Sequence, residues 1–416
     1  MTTTTTQRII VIGGGPAGMM AAAAATQNGA QVILIEKNKV LGRKMATTGG
    51  GRCNITNMCE IEELIESVQR NPYFLYSAFY AFTKEDIIAL LEKEGVKVKV
   101  EAHGKVFPVS NKATDVIGAF ERHLQKSGVD IKLGKNVQTI TKKKSELFQL
   151  KLQDGTEIKA NKVIIATGGM SASATGSTGD GYKFAQKLGH TLTDKFYPSV
   201  VPLKTKETFV KDLQGTSLGA VGIKLKLGKK ILFENIGDMI FTHFGLSGPV
   251  ILKASAYLTM ELEEDVSLYI DIYPDETEKE TDTKLVELLA KDSNKNIENI
   301  MPKLLPEKLV QVLLNLSHIH AGTKGRDITK KQRQTLLSNI KNMKFTITGN
   351  MGYNPAVTTA GGVITDEVNP STMESKIVEG LYLVGEVLDV NAYTGGYNLQ
   401  TCYSTGYLAG LSASSN

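Results

Sequence analysis

The chain has little of what would place it in several common classes. Only three cysteines occur in 416 residues, Cys53, Cys59 and Cys402. They make no CxxC pair and no Cys/His cluster with zinc spacing, so neither a disulfide framework nor a metal site is expected, and a reducing compartment fits. No apolar run approaches the ~18 residues of a membrane-spanning helix, and Met1 to Gln7 lacks the basic region and apolar core of a signal peptide. A cytoplasmic protein with no membrane partner is the expectation. Charge is nearly balanced: 48 basic against 43 acidic residues gives +5. That excess is too weak to argue for nucleic acid. The runs Lys142-Lys143-Lys144 and Lys229-Lys230 read as solvated turns. No internal repeat appears, and a chain this long buries a core without staples, with two or three domains expected at ~150 residues each.

What is abundant is glycine, 40 residues, above the usual share of ~7%. The first cluster follows a buried-strand pattern, Arg8-Ile9-Ile10-Val11-Ile12, and reads Gly13-Gly14-Gly15-Pro16-Ala17-Gly18. An alanine-rich helix to Asn28, a Gly29 cap and a second strand, Gln31 to Ile35, closing on Glu36, complete a βαβ unit. Gly13 permits the tight turn, Gly15 lets a pyrophosphate approach the backbone, and Gly18 lets helix and strand pack closely. The helix N-terminus offers free N–H groups to phosphate. Glu36 can accept from both hydroxyls of an adenosine ribose and would repel a 2′-phosphate, so this site suits NAD or FAD rather than NADP.

A second cluster, Leu41 to Asn54, holds three consecutive glycines with Arg43, Lys44 and Arg52 and has no hydrophobic period. It suits a loop along an anionic ligand, with Lys44 or Arg52 near phosphate, or else a flexible solvent loop. A third follows the strand Lys162 to Ile165 as Ala166-Thr167-Gly168-Gly169, then Gly176 to Tyr182. The fourth follows the strand Gly380 to Val384: Gly385-Glu386, then Asp389, then Gly395-Gly396-Tyr397-Asn398-Leu399-Gln400 opening a small-residue helix. Such devices at both ends of a chain imply one long ligand held at both ends.

Between these clusters, Thr83 reads as the N-cap of a helix bearing Ile87, Leu90 and Leu91, and Val116, Phe120 and Leu124 form a second stripe after Thr114. Strict alternation at Val96/Val98/Val100, Val129/Ile131/Leu133 and Phe148/Leu150/Leu152, with a turn at Asp154-Gly155, predicts one small antiparallel sheet. Beyond Gly189, alternation at Val221 to Leu227, Met239 to His243, Val266 to Ile272 and Phe345/Ile347 predicts a β barrel or sandwich. Within it, Thr281 to Met343 carries helical stripes such as Leu336, Leu337, Ile340 and Met343.

Taken together, Gly13 to Gly18 with Glu36, Thr48 to Asn54, Phe241-Thr242-His243-Phe244-Gly245-Leu246-Ser247-Gly248-Pro249, Thr359-Ala360-Gly361-Gly362-Val363 and Gly395 to Gln400 resemble one bacterial family over essentially the whole chain. It is the NAD(P)/FAD-dependent oxidoreductase flavoprotein family that includes the aminoacetone oxidases. The resemblance implies an α/β fold: a glutathione-reductase-type FAD-binding Rossmann domain, an inserted β-barrel-like domain and a helical subdomain. The expected boundaries are 1–194 with 355–416, 195–276 with 344–354, and 277–343.

The resemblance also implies roles along the FAD. Gly13, Gly15 and Gly18, with Pro16 and Ala17, face the pyrophosphate, Glu36 and the adjoining Lys37 the adenosine ribose, and Val137 the adenine through its backbone. Arg43, Lys44, Thr48, Gly49, Gly50, Gly51, Arg52, Cys53 and Asn54 follow the pyrophosphate and flavin, with Ala166, Thr167 and Gly168 alongside. Gly385 and Glu386 take the ribitol. Gly395, Gly396, Tyr397, Asn398 and Leu399 present a helix N-terminus to the flavin N1/O2 edge, where a helix dipole stabilises the reduced form by about 0.3–2 kcal/mol. In place of the family's frequent Asp-Gly pair stands Asn391-Ala392-Tyr393.

For proton transfer the candidate is His243, which a domain-interface role explains equally. Cys53 has no partner for a CxxC and reads better as packed than as redox-active. Tyr393 and Tyr397 shape a substrate cavity or simply pack. The expected function is hydride transfer between FAD and a small organic substrate, an amine or amino-ketone or an unsaturated acid. Oxygen or transiently bound NAD(P)H is the second partner, because no second GxGxxG is present. The Gly176 to Gly181 stretch is similar to that of the fumarate reductase group. The alternative is an FAD-binding protein acting in RNA modification or regulation, which lacks support from any aromatic-basic interleaving.

Overall fold

The computed structural model describes residues 7–143, 146–258 and 266–415. Lys144 and residues 1–6 lie outside them. The chain forms two compact units, residues 1–199 with 356–416, and residues 200–355.

In the first unit, five strands among the described residues make a parallel sheet in the order Leu381–Leu383, Lys162–Ile165, Arg8–Ile12, Gln31–Glu36, Asp130–Leu133. Its central strands are apolar at nearly every position because helices cover both faces. Ile9, Ile10, Val11, Leu34, Val163 and Ile164 are all fully buried. The helix Pro16–Ala25 is alanine-rich because it is buried on almost every side. It packs backbone to backbone on the last helix, Tyr397–Ser414. A Cβ at Gly406 would lie 2.3 Å from the Ala17 carbonyl oxygen, and one at Gly410 2.3 Å from that of Ala21.

The helix Lys84–Lys93 starts at Thr83, as its sequence predicts, through a capping box with Asp86. The next helix, Ala113–Lys126, starts one residue before Thr114, from Lys112. The three alternating segments expected in one antiparallel sheet go to three places. Val98–Val100 pairs with Lys105–Pro108, and Phe148–Leu152 pairs with Val137–Thr141 and with Glu157–Ala160 across the Asp154-Gly155 turn. Asp130–Leu133 instead closes the edge of the parallel sheet beside Gln31–Glu36. An edge strand is solvated on one side, so it alternates like an antiparallel one.

In the second unit, six strands among the described residues close a barrel: Leu203–Thr205, Gly245–Ser247, Lys230–Thr242, Ser217–Leu227, Val266–Asp271 and Met343–Asn350. Gly228, at φ +55°, turns the long hairpin. The helices Glu278–Lys291, Glu307–Leu316 and Lys330–Lys341 share the barrel's core, with Leu285, Leu309, Leu313 and Leu336 buried among Leu225, Leu268 and Phe345. The last helix ends before Met343, which opens a barrel strand rather than continuing the helical stripe.

Candidate functional site

The first glycine turn is built from backbone contacts that admit no side chain. Gly13 sits at φ +109° with its would-be Cβ 2.5 Å from the Ala166 carbonyl oxygen, and a Cβ on Gly18 would lie 1.8 Å from the Gly13 carbonyl oxygen. Gly15, by contrast, has nothing within 4 Å of where its Cβ would stand. Two glycines lock the strand to the helix; the third leaves room above the helix N-terminus. Pro16 occupies the first helical turn and no side chain caps it, so the N–H groups there point into that room.

Glu36 is buried at the end of its strand, 8% exposed. Its carboxylate accepts from the Gly14 N–H at 2.6 Å, the Asn38 N–H at 2.7 Å and Asn38 Nδ2 at 2.8 Å. A carboxylate has about four lone-pair sites, so capacity for about one more donor remains, against the two ribose hydroxyls that the sequence anticipates. Val137 is buried at the start of its strand, two residues after Lys135, whose N–H donates to the Glu36 carbonyl oxygen at 3.0 Å.

The basic side chains among the expected cofactor-binding residues are paired within the protein. Lys37 Nζ meets Asp180 Oδ2 and Thr178 Oγ1, both at 2.6 Å. Arg43 donates to Asn38 Oδ1 at 3.0 Å. Lys44 Nζ meets Glu386 Oε2 at 2.6 Å, joining two residues assigned to different parts of the ligand. Arg52 forks onto Glu101 at 3.0 and 3.1 Å and lies 4.0 Å over the Phe107 ring. Their charge is thus partly met within the protein, and backbone N–H groups are further donors for a pyrophosphate. Gly50 and Gly51, at φ +68° and +86°, have nothing within 4 Å of a would-be Cβ, so the loop keeps open space on that side.

Cys53 is fully buried at φ +62°, and burial pushes its thiol up to about 12. It is a packed thiol at neutral pH, not a nucleophile. Glu386 is held from its other oxygen by the Thr359 N–H at 2.8 Å. Gly385 takes φ +67° and donates its N–H to Thr405 Oγ1 at 3.0 Å. Ala166, Thr167 and Gly168 leave the neighbouring strand beneath the first turn, the Ala166 N–H bonded to the Ile12 carbonyl at 2.9 Å.

At the C-terminal turn, Gly395 and Gly396 sit at φ +142° and +99°, and a Cβ on Gly396 would lie 2.4 Å from the Thr56 backbone. No side chain caps the helix Tyr397–Ser414, and its first intrahelical bond is from the Gln400 N–H to the Gly396 carbonyl. Tyr397, Asn398 and Leu399 thus begin the helix at a positive dipole end. The Asn398 side chain turns back, bonding Ala392 through both its atoms at 2.9 and 2.8 Å and the Tyr393 carbonyl at 2.9 Å. This clamp orders the Asn391-Ala392-Tyr393 turn. Burial pushes the Tyr397 phenol up to about 12.

These residues fit a dinucleotide on an observation independent of motif. Asn54 Oδ1, Thr167 Oγ1 and Thr358 Oγ1 are buried with no hydrogen-bond partner among the described residues, and Asn54 follows the open-sided Gly50 and Gly51. Such atoms call for a polar ligand. His243, in the second unit, is exposed at the turn after Thr242, edge-on to Phe244 with ring centroids 5.0 Å apart.

Two clusters lie beyond the sequence-level candidates. Arg70 forks onto Asp389 across 319 residues, Nε to Oδ1 at 2.5 Å and Nη2 to Oδ2 at 2.7 Å. His190, fully buried at the side chain, bonds Glu367 through Nδ1 at 3.0 Å and Ser375 through Nε2 at 2.8 Å. Ser375 Oγ also accepts from the N–H groups of Ile377 and Val378 at 3.0 and 2.8 Å, so this serine–histidine–carboxylate line serves as a brace rather than a nucleophile. Nothing in the local sequence announces either pairing.

The parallel sheet, the steric demands at Gly13 and Gly18 and the uncapped last helix define a dinucleotide-binding Rossmann protein. Within that class the chain belongs to the family described as HI0933-like protein Rossmann domain, whose model matches residues 7–412. It is 33% identical over 386 residues to the 3-dehydro-bile acid delta(4,6)-reductase of Clostridium scindens, covering 92% of this chain and 93% of that protein. It is also 33% identical over 381 residues to the ribosomal RNA dihydrouridine synthase of Escherichia coli, covering 92% and 91%. Among solved structures, the fold is similar to that of 3-ketosteroid delta1-dehydrogenase from Sterolibacterium denitrificans. The TM-score is 0.53 at 13% identity, covering 99% of this chain and 100% of that one. It is also similar to Sdh1 of Mycobacterium smegmatis, with a TM-score of 0.50 at 16% identity over 98% of this chain and 68% of that one. The protein is an FAD-dependent oxidoreductase. No helix among the described residues is long and apolar enough to cross a membrane.

Proposed function

We propose that this enzyme reduces a carbon–carbon double bond conjugated to a carbonyl, drawing electrons from transiently bound NAD(P)H. The bound flavin supplies the two-electron carrier. The observation that carries the reading is the pair of relatives, one named for delta(4,6) reduction of a 3-dehydro-bile acid and one for making dihydrouridine. A double bond beside a carbonyl is the chemical feature that both substrates share. The geometry supports it: the uncapped N-terminus of Tyr397–Ser414 favours negative charge, as reduction of such a bond requires. The residues assigned above would hold the FAD, the pyrophosphate through backbone N–H groups at Gly15 and the Gly49 to Gly51 loop, and the ribitol through Glu386.

A second reading takes the conjugated carbonyl to be a uracil ring within ribosomal RNA. It is favoured by three exposed tyrosines, Tyr73, Tyr76 and Tyr80, whose rings stack at 6.1 and 6.3 Å. Bases stack on such platforms. The deciding experiment reduces the loaded enzyme anaerobically and then adds cyclohexenone, uridine or ribosomal RNA while following the visible flavin band. Reoxidation by a conjugated carbonyl is expected. Reduction of the flavin by aminoacetone, with reoxidation by oxygen alone, would replace this reading with an amine oxidase. Reoxidation by RNA but not by cyclohexenone would select the second.

A further inference from the structure

We propose that Arg70 is a catalytic residue of this reductase: its guanidinium meets the carbonyl oxygen of the conjugated substrate and holds the negative charge that oxygen gains during reduction. The inference rests on the substrate class given under the proposed function.

The guanidinium is fixed and only partly used. Nε and Nη2 are taken by Asp389, whose side chain is 7% exposed, while that of Arg70 is 34% exposed. Nη1 has no hydrogen-bond partner among the described residues. Three of five N–H groups, two on Nη1 and one on Nη2, are therefore left without an acceptor among the described residues. The anchor itself is braced: Asn71, in the left-handed region at φ +52°, donates through Nδ2 to the Asp389 carbonyl oxygen at 2.7 Å and to Oδ2 at 3.2 Å. Asp389 thus acts as a positioning residue, orienting the cation as a carboxylate orients a catalytic side chain.

Placement supports the role. The Gln69 N–H donates to the Asn391 carbonyl at 2.8 Å and the Tyr393 N–H to the Ser67 carbonyl at 3.1 Å, so residues 67–71 are tied to residues 389–393. Asn398 clamps the same stretch from the helix N-terminus. Arg70 therefore stands beside the segment leading from Glu386 to the Gly395-Gly396 turn, the segment assigned to the flavin. Beside it Asn391, 3% exposed, donates to Ser199 Oγ at 3.2 Å while its Oδ1 is buried without a partner among the described residues. A partly used cation and an orphaned acceptor on two hydrogen-bonded segments mark a place for a polar ligand group.

The chemistry balances. A hydride adds to the double-bond carbon farther from the carbonyl, the double-bond pair shifts, and the carbonyl pair moves onto oxygen as an enolate. A proton from water then adds to the carbon next to the carbonyl. The hydride's two electrons come ultimately from NAD(P)H through the flavin. A cation already aimed at the oxygen requires no reorganisation at that moment.

The test compares wild type, Arg70→Gln and the double variant Arg70→Met with Asp389→Asn, which leaves no unpaired buried carboxylate. Each loaded protein is reduced with dithionite and mixed anaerobically with cyclohexenone. Cyclohexenone is also titrated into each oxidised protein to follow its perturbation of the flavin spectrum. FAD content and reduction by dithionite should match wild type, reoxidation by cyclohexenone should fall about 10²–10³-fold in both variants, and the spectral titration should weaken. In a third variant, Arg70→Gly, added methylguanidinium should restore part of the lost rate. Wild-type reoxidation rates in an FAD-loaded variant overturn the role of Arg70. Failure of wild type itself to be reoxidised by any conjugated carbonyl overturns the substrate class, and is read separately because it needs no variant.

Discussion

The turn at Gly13 to Gly18 and the loop at Gly42 to Asn54 are both rich in glycine, and glycine serves opposite ends in them. In the turn, Gly13 and Gly18 are required because the protein itself fills the space, with contacts of 2.5 and 1.8 Å for any added Cβ. In the loop, Gly42 and Gly49 are also pressed, at 2.9 Å on Ile117 and Phe107, but Gly50 and Gly51 have nothing within 4 Å of a would-be Cβ, and glycine is needed there only for a left-handed backbone that leaves a side open. One region is scaffold and the other is cradle. The contrast teaches that a glycine count does not distinguish the two; the distance to the nearest neighbour does.

Substitutions should separate the regions. The largest effect is expected from Gly18→Ala, whose Cβ would meet the Gly13 carbonyl oxygen, a backbone atom that cannot swing aside. A loss of about 3 kcal/mol or more is expected, with FAD-free or insoluble protein, measured by FAD content and thermal unfolding. Gly410→Ala, pressed at 2.3 Å against Ala21, should cost about 2 kcal/mol by prying apart the two glycine-opened helices, seen as a lower Tm with the same visible spectrum per bound FAD. Gly50→Ala should cost only about 1 kcal/mol in apo-protein stability, from its φ of +68°. Its FAD dissociation constant should rise by more than about fivefold, the factor that this energy represents. Equal losses of stability in Gly18→Ala and Gly50→Ala would erase the distinction between scaffold and cradle.

The smallest effect should come from acid and should fall on the scaffold alone. Burial lowers the His190 pKa below its ordinary 6.5 despite Glu367, so the folded protein resists protonating it. Unfolded histidine protonates near ~6.5, so this contribution is complete above that pH and is lost as pH falls below it. Glu367, held low chiefly by its bonds to Thr191 and His190 against the opposing burial, adds a second loss as pH drops below 4.5. Thermal melts of wild type and His190→Gln across this range should converge toward low pH. Parallel curves would remove His190 from the account.

Much of the framework was readable from residues close together in the chain. The βαβ unit, Thr83 as a cap and the turn at Asp154-Gly155 follow from short-range geometry, which a strand, turn or cap needs and a local pattern records. The edge position of Asp130–Leu133 was not readable, because a solvated parallel edge and an antiparallel strand write the same alternation. The site divides in the same way. Where the protein admits no side chain, at Gly13, Gly18 and Gly396, the motif named the position and the structure supplied the neighbour, while at Gly15 it showed open space.

What the sequence determined by itself is therefore the backbone of the site: which turns take left-handed angles and which helices begin with free N–H groups. Only the tertiary structure decided the side-chain electrostatics. Lys44 meets Glu386 across 342 residues, Arg70 meets Asp389 across 319, and His190 meets Ser375 across 185. Local conformation depends on steric and hydrogen-bonding terms within a few residues, which a sequence displays. Charge pairing depends on which distant segments the sheet and its helices bring within about 3 Å, and no short stretch of chain contains that distance.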